Sequence, residues 1–255
     1  MSEQFPLTKV SLSDTKTELA CSAIEMILHY LRKVYGQDML EEVVKASGMN
    51  LDYLANPKNW ISLDYCFRLL DCMVELTDNE KAPYEAGTYS IDPDVFGPVR
   101  ALITRLGTVA DTYRLLALVA PRWNKVAAWK YEEGHENGCV LSTRIFTGHK
   151  QTRYNCDCIK GATAAVPRMF GLPMAQIDEL ACQCDGAPAC VYKVTWRREP
   201  HRFWRLIGFA AGGCTGLLTA ILTDWTEASF VAVILIPILG FFAGLFVDYA
   251  KRLGQ

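Results

Sequence analysis

Two long runs without a charged residue lie near the C-terminus: Leu206 to Thr223, 18 positions, and Ala228 to Val247, 20 positions. At about 1.5 Å of helical rise per residue they extend roughly 27 and 30 Å, close to the hydrocarbon thickness of a bilayer. Only Asp224, Trp225, Thr226 and Glu227 separate them, so the pair reads as a tight antiparallel transmembrane hairpin. Arg197, Arg198, Arg202 and Arg205 precede it and Lys251 and Arg252 follow it, whereas the connection is acidic. Lys and Arg mark the cytoplasmic side. The expectation is therefore a multi-pass protein of the inner membrane with its N-terminal domain and C-terminus in the cytoplasm. Gly208, Gly212 and Gly216 recur every fourth residue, as do Gly240 and Gly244, which lets helix backbones approach closely. Trp196, Phe203, Trp204 and His201 among the arginines read as an interfacial belt. Met1 to Ser13 lacks a basic region followed by an apolar core, so no cleaved targeting segment is expected.

Ahead of the hairpin the chain is polar enough to be a globular domain and apolar enough to bury a core. Over all 255 residues, 51% are hydrophobic and 21% charged, which excludes global disorder. Lys plus Arg number 26 against 28 Asp plus Glu, so no general attraction to nucleic acid exists. Apolar residues from Leu19 through Ile24, Ile27, Leu28 and Leu31 to Val34 fall at helical spacing, with Asp14 or Thr15 as N-cap and Gly36 as stop. Further helices are expected over 38–46, from Ser62 through Leu76, over 98–105 and over 109–119. The period then changes to that of strands. Val126 to Glu133 and Cys139 to Phe146 read as a hairpin turned at His135, Glu136, Asn137 and Gly138. Tyr154 to Met169 reads as a helix, followed by a second strand pair, Met174 to Gln183 and Ala189 to Trp196, around Asp185-Gly186.

The fold class is thus α+β: a helical N-terminal half, a hairpin-helix-hairpin mixed region, then two transmembrane helices. Residues 1–200 form the cytoplasmic domain and 201–255 the membrane hairpin with a short tail.

Five of the ten cysteines converge on one stretch. Cys156 and Cys158 sit on the helix between the hairpins, and Cys182, Cys184 and Cys190 on the last strand pair, with Glu179 three residues before Cys182. In a reducing compartment clustered thiols point to metal or redox chemistry rather than disulfides. A hairpin tip and a neighbouring helix place four such groups around a tetrahedral ion, and zinc accepts thiolate and carboxylate ligands. Packed, reduced core thiols and a redox Cys-x-Cys pair are the alternatives these residues leave open.

The run Glu179-Leu-Ala-Cys182-Gln-Cys-Asp-Gly186-Ala-Pro-Ala-Cys190-Val-Tyr192-Lys-Val194 resembles the end of the 4-vinyl-reductase domain family. That family serves as a small-molecule sensor in bacterial regulators, and its fold is related to haem nitric-oxide-binding domains and to transport-particle subunits. In its zinc-binding sensor members an upstream Cys, a Glu-x-x-Cys and a further Cys hold the ion. The resemblance implies Cys156, Glu179, Cys182 and Cys190 as ligands of a structural zinc, with Cys158 and Cys184 as spare thiols that can replace Cys156 or Glu179. It is specific over about 154–196.

Of the four histidines, His29, His135, His149 and His201, none pairs with another at ligand spacing. The Tyr-x-Ser-x-Arg motif that holds haem propionates in the haem relatives is missing, so no haem is expected. No Gly-x-Ser-x-Gly and no phosphate-cradling loop is found, which leaves no visible catalytic motif. Aromatic residues crowd the stretch from Trp60 to Trp129, where a pocket for a small apolar or aromatic ligand would lie, with no individual lining residue assigned. The expected function is that of a membrane-tethered, zinc-stabilised sensor in bacterial signal transduction. It would act through a separate output protein or a further module, with a homodimer as a further expectation. The alternatives are an enzyme or binding protein for a tetrapyrrole or lipid, and a membrane scaffold.

Overall fold

The computed structural model describes residues 14–97, 99–134, 137–146, 148–197, 203–222 and 227–253. In chain order the elements are β1 (Leu19–Ala20), α1 (Glu25–Val34), α2 (Gln37–Ala46), α3 (Leu51–Leu54), β2 (Trp60–Ile61), α4 (Leu63–Thr77), α5 (Ala82–Thr88), α6 (Pro93–Phe96), α7 (Val99–Leu106) and α8 (Val109–Val119). They continue with β3 (Ala127–Glu133), β4 (Gly138–Ile145), α9 (Arg153–Ala165), β5 (Gln176–Ala181), β6 (Cys190–Thr195), α10 (Phe203–Leu222) and α11 (Glu227–Leu253). The chain divides into two compact units, Met1–Arg197 and Arg198–Gln255.

Local chemistry explains most boundaries of the first unit. Ser62 accepts from the Tyr65 amide and starts α4, while Thr108 and Asp111 form a reciprocal capping box at the start of α8. Gly36, with φ 91°, separates α1 from α2, a conformation that a residue with a Cβ resists. The apolar stripes of α1, α2 and α4 bury Ile27, Leu31, Leu40, Val43, Leu69 and Leu70 in one helical core, joined by Ile24 just before α1. At roughly 1.5–3 kcal/mol for each large side chain removed from water, that cluster outweighs any local propensity.

A second core lies between helices and an antiparallel sheet of order β3-β4-β6-β5. Alternation along β4 and β6 sends Cys139, Leu141, Cys190, Tyr192 and Val194 inward, against Tyr113 of α8 and Cys156 and Ala165 of α9. Helix α9 has a foot in each core: Cys156 belongs to the sheet side and Cys158 to the helical side. Its approach to α5 is backbone to backbone, because a Cβ on Gly161 would come within 2.0 Å of the Tyr84 carbonyl oxygen.

Two expectations for this unit change. Leu19 and Ala20 do not begin the first helix: they pair with Ile61 and Trp60, and the amides of Ala20 and Cys21 bond to Trp123 and Asn59. Those distant backbone partners override the helical spacing. Between the helices expected to end at Leu76 and to start at 98, where no element was expected, the chain carries α5, which buries the small residues Ala82, Pro83, Ala86 and Gly87, and α6, which buries none. His135 and Glu136 of the first hairpin turn lie outside the described residues, although Asn137 shows the positive φ, 60°, expected there.

In the second unit α10 and α11 pack through glycine. A Cβ on Gly208 would meet the Gly240 carbonyl at 2.1 Å, and one on Gly212 the Ile236 carbonyl at 2.6 Å. The membrane assignment of these helices is corrected: among the described residues no helix is long and apolar enough to cross a membrane. The two transmembrane helices of the fold class, and the inner-membrane location built on them, therefore do not stand. Arg198, His201, Arg202 and Asp224 to Thr226, from which the orientation was read, lie outside the described residues.

Candidate functional site: a thiol cluster at the head of α9

Thr152 starts α9, its hydroxyl accepting from the Asn155 amide, and this places Cys156 within the first turn or so of the helix. Amides at a helix N-terminus favour negative charge, but at Cys156 the bond to Cys190 and burial outweigh this and raise the thiol. Two residues further on, Cys158 faces the opposite core, because successive helical residues are about 100° apart. It is thereby removed as a substitute ligand.

The other sulfurs come from a tight knuckle between β5 and β6. After Cys182 the chain makes one 3-10 turn, Gln183–Asp185, closed by Gly186 at φ 88°. The Asp185 and Ala187 amides both donate to the Cys182 carbonyl. This turn brings Cys190, the first residue of β6, back beside Cys182. The Sγ of Cys156 lies 3.5 Å from Cys182, 3.8 Å from Cys184 and 3.8 Å from Cys190, and Cys182 lies 3.8 Å from Cys190. All are free thiols. Four sulfurs around a tetrahedral ion with bonds near 2.3 Å would be about 3.8 Å apart. The separations among Cys156, Cys182 and Cys190 already have that spacing, whereas Cys184 stands outside the group that lies within 4.8 Å of one another.

Electrostatics at the cluster are uneven. The Cys156 thiol donating to Cys190, with the Gln183 amide at 3.3 Å from the same sulfur, holds Cys190 down to about 5 although burial opposes this. Cys156 is raised in turn, by that same bond and by burial. Burial pushes Cys184 up to about 11. The Gln151 side chain lies 3.9 Å from the Cys190 sulfur, and the Cys184 thiol donates to the Gln151 carbonyl at 3.5 Å. Arg153 bonds Glu179 at 3.2 Å and also pairs with Asp185, while Lys160 lies 3.3 Å from the other Glu179 oxygen. Two cations therefore stand beside a cluster that would carry net negative charge as thiolates.

Of the four ligands expected from the sequence, Cys156, Cys182 and Cys190 are wholly buried and lie within 4.8 Å of one another. Glu179 reaches the same distance only in a group with Cys182 and Asp185, its oxygens already bonded to Arg153 and Lys160. Cys184, expected as a spare thiol, lies 3.8 Å from Cys156 but outside the group of three. Gln151, Arg153, Gln183 and Tyr192 were missed, and the one available sign was the Thr152 cap, which fixes where α9 starts.

The two described histidines differ. His149 has Nε2 3.5 Å from Glu18 and Nδ1 3.2 Å from Asp64, so both nitrogens face carboxylates. His29 is buried in α1 with Nε2 3.4 Å from an Asp92 oxygen but without an aligned hydrogen bond, and Lys33 holds that oxygen at 3.1 Å.

No family model matches the chain, and no curated protein sequence does. Solved structures do match in fold. An oxygen-binding H-NOX domain related to soluble guanylate cyclases superimposes with a TM-score of 0.56 at 15% identity, covering 71% of this chain and 96% of that one. The H-NOX protein from S. oneidensis in its Fe(II)NO ligation state gives 0.55 at 9% identity over 71% and 100%. That from K. algicida, Fe(II) unliganded, gives 0.52 at 10% over 72% and 99%. These likenesses also correct the expectation of no haem: the fold is that of H-NOX proteins solved as an oxygen complex and in an Fe(II)NO ligation state, so a missing propionate motif does not exclude the group. Among the described histidines, His29 offers a buried nitrogen free of an aligned hydrogen bond, and His149 does not. The helical half followed by the four-stranded sheet has the H-NOX fold.

Proposed function

We propose that residues 14–197 form a small-molecule sensor domain in which a soft divalent metal, held by Cys156, Cys182 and Cys190, pins α9 to the β5–β6 knuckle. The observation that carries the reading is the sulfur spacing of 3.5–3.8 Å, set by three separate elements on the fold of known gas-binding domains. The fourth ligand is either Cys184 or Glu179. Cys184 lies 3.8 Å from Cys156 but must close on the other two sulfurs; Glu179 must release Arg153 and Lys160. With four protein ligands the ion is structural and leaves no open position for chemistry. A domain whose ligand-binding and sheet halves meet along one helix, fixed at its head, is suited to passing a ligand-induced shift from one half to the other.

Titrating the reduced, metal-free chain with Co(II) tests this. One equivalent should give thiolate-to-cobalt charge transfer, and Zn(II) should displace it. Cys184→Ser should weaken binding at least tenfold if sulfur is the fourth ligand, and Glu179→Gln should do so if the carboxylate is. An absence of charge transfer in the unsubstituted chain refutes the site.

A second reading rests on His29. Its buried Nε2, without an aligned hydrogen bond, is the described nitrogen that could serve as an axial ligand if haem is what the domain senses through. Adding haemin should then give a stoichiometric Soret band that His29→Ala removes; equal spectra for both chains refute that role.

A further inference from the structure

The Tyr192 hydroxyl is wholly buried and makes no hydrogen bond of ordinary geometry, in a protein where buried polar groups find partners as a rule. Its surroundings identify what it lacks. Tyr192 lies two residues after Cys190 on β6, so both side chains point to the same face, toward the head of α9. Tyr192 packs in the same buried cluster as Cys156 and Cys190, and burial together with these two sulfurs pushes its phenol up. Across the ladder Tyr192 is in register with Glu179, whose carboxylate is occupied by Arg153 and Lys160 and does not compete for the proton.

A neutral thiol is a weak acceptor, whereas an ionised sulfur accepts strongly. Tyr192 is not the lone donor aimed this way: the Gln183 amide lies 3.3 Å and the Gln151 amide nitrogen 3.9 Å from the Cys190 sulfur. Donors that converge on one buried sulfur fit a thiolate that stays charged, and outer donors of this kind orient metal ligands. Resting on the metal reading above, we infer that Tyr192 is a positioning residue of the site, its hydroxyl donating to the metal-bound thiolates of Cys190 and Cys156. A metal keeps both sulfurs ionised, the state in which they accept most strongly.

The test compares the full chain with Tyr192→Phe, which keeps the ring and removes only the hydroxyl. Co(II) should bind both at one equivalent, about tenfold more weakly in the variant. The charge-transfer band of the variant should move to lower energy, because a sulfur that loses a hydrogen bond gives up its electron more readily. Melting of the metal-free forms should be the same within error, with the variant less stable only when loaded. A variant with unchanged affinity and band position overturns the inference and leaves the metal site standing, as does an equal loss of stability in both states. An original chain that binds no cobalt overturns the metal reading and this inference together.

Discussion

At the residue scale the site depends on which way neighbouring side chains point. Cys156 and Cys158 are equivalent by composition and nearly so by position, yet the helix sends one to the sulfur cluster and the other to the opposite core. The spacing of Cys182 and Cys190 was legible because a tight knuckle leaves few ways to bridge eight residues. The order of preference between Glu179 and Cys184 was not, since it depends on where Arg153 and Lys160 lie after folding. Cys182→Ala should abolish cobalt binding and lower the melting temperature of the metal-loaded chain by roughly 5–10 °C, because metal binding contributes to folding free energy. Cys158→Ala should leave cobalt binding intact and cost only core packing. Titration followed by thermal melting separates the two, and equal behaviour would contradict the assignment of faces.

At the scale of elements, helices with an apolar stripe and hairpins with turn residues were readable, and so α2, α4, α7, α8 and the four strands of the sheet fall where periodicity places them. What periodicity could not show is an element that packs by being small. Helix α5 has little apolar stripe, but its Gly87 would place a Cβ 2.1 Å from the Cys158 carbonyl, and Gly161 of α9 is equally tight against Tyr84. The contact of these two helices sets the depth of α9 and with it the position of Cys156. Gly161→Ala should cost roughly 3 kcal/mol in overpacking, offset by about 1 kcal/mol of helix propensity. The net loss of about 2 kcal/mol, some 4–8 °C in melting temperature, is measurable by denaturant or thermal unfolding. A neutral or stabilising substitution would mean that α5 and α9 can separate without consequence.

At the scale of the molecule, the helical first half and the mixed second half were visible from the change of period near Val126. Their assembly was not, because β1, β2 and the link to Trp123 join residues far apart in sequence through backbone bonds that no side-chain pattern records. The C-terminal helices illustrate the opposite error. Uncharged runs described their composition correctly, but composition alone does not establish a crossing, and the glycine contacts of α10 with α11 are the feature the structure shows directly. The account as a whole turns on whether the cluster at the head of α9 holds an ion. Native mass spectrometry of the full chain, with thiol alkylation under the same conditions, measures this most directly. The expected result is one divalent ion per chain, lost on acidification, with Cys156, Cys182 and Cys190 protected until the ion leaves. A bare mass, with those three cysteines reacting no differently after acid or chelator treatment, would contradict it.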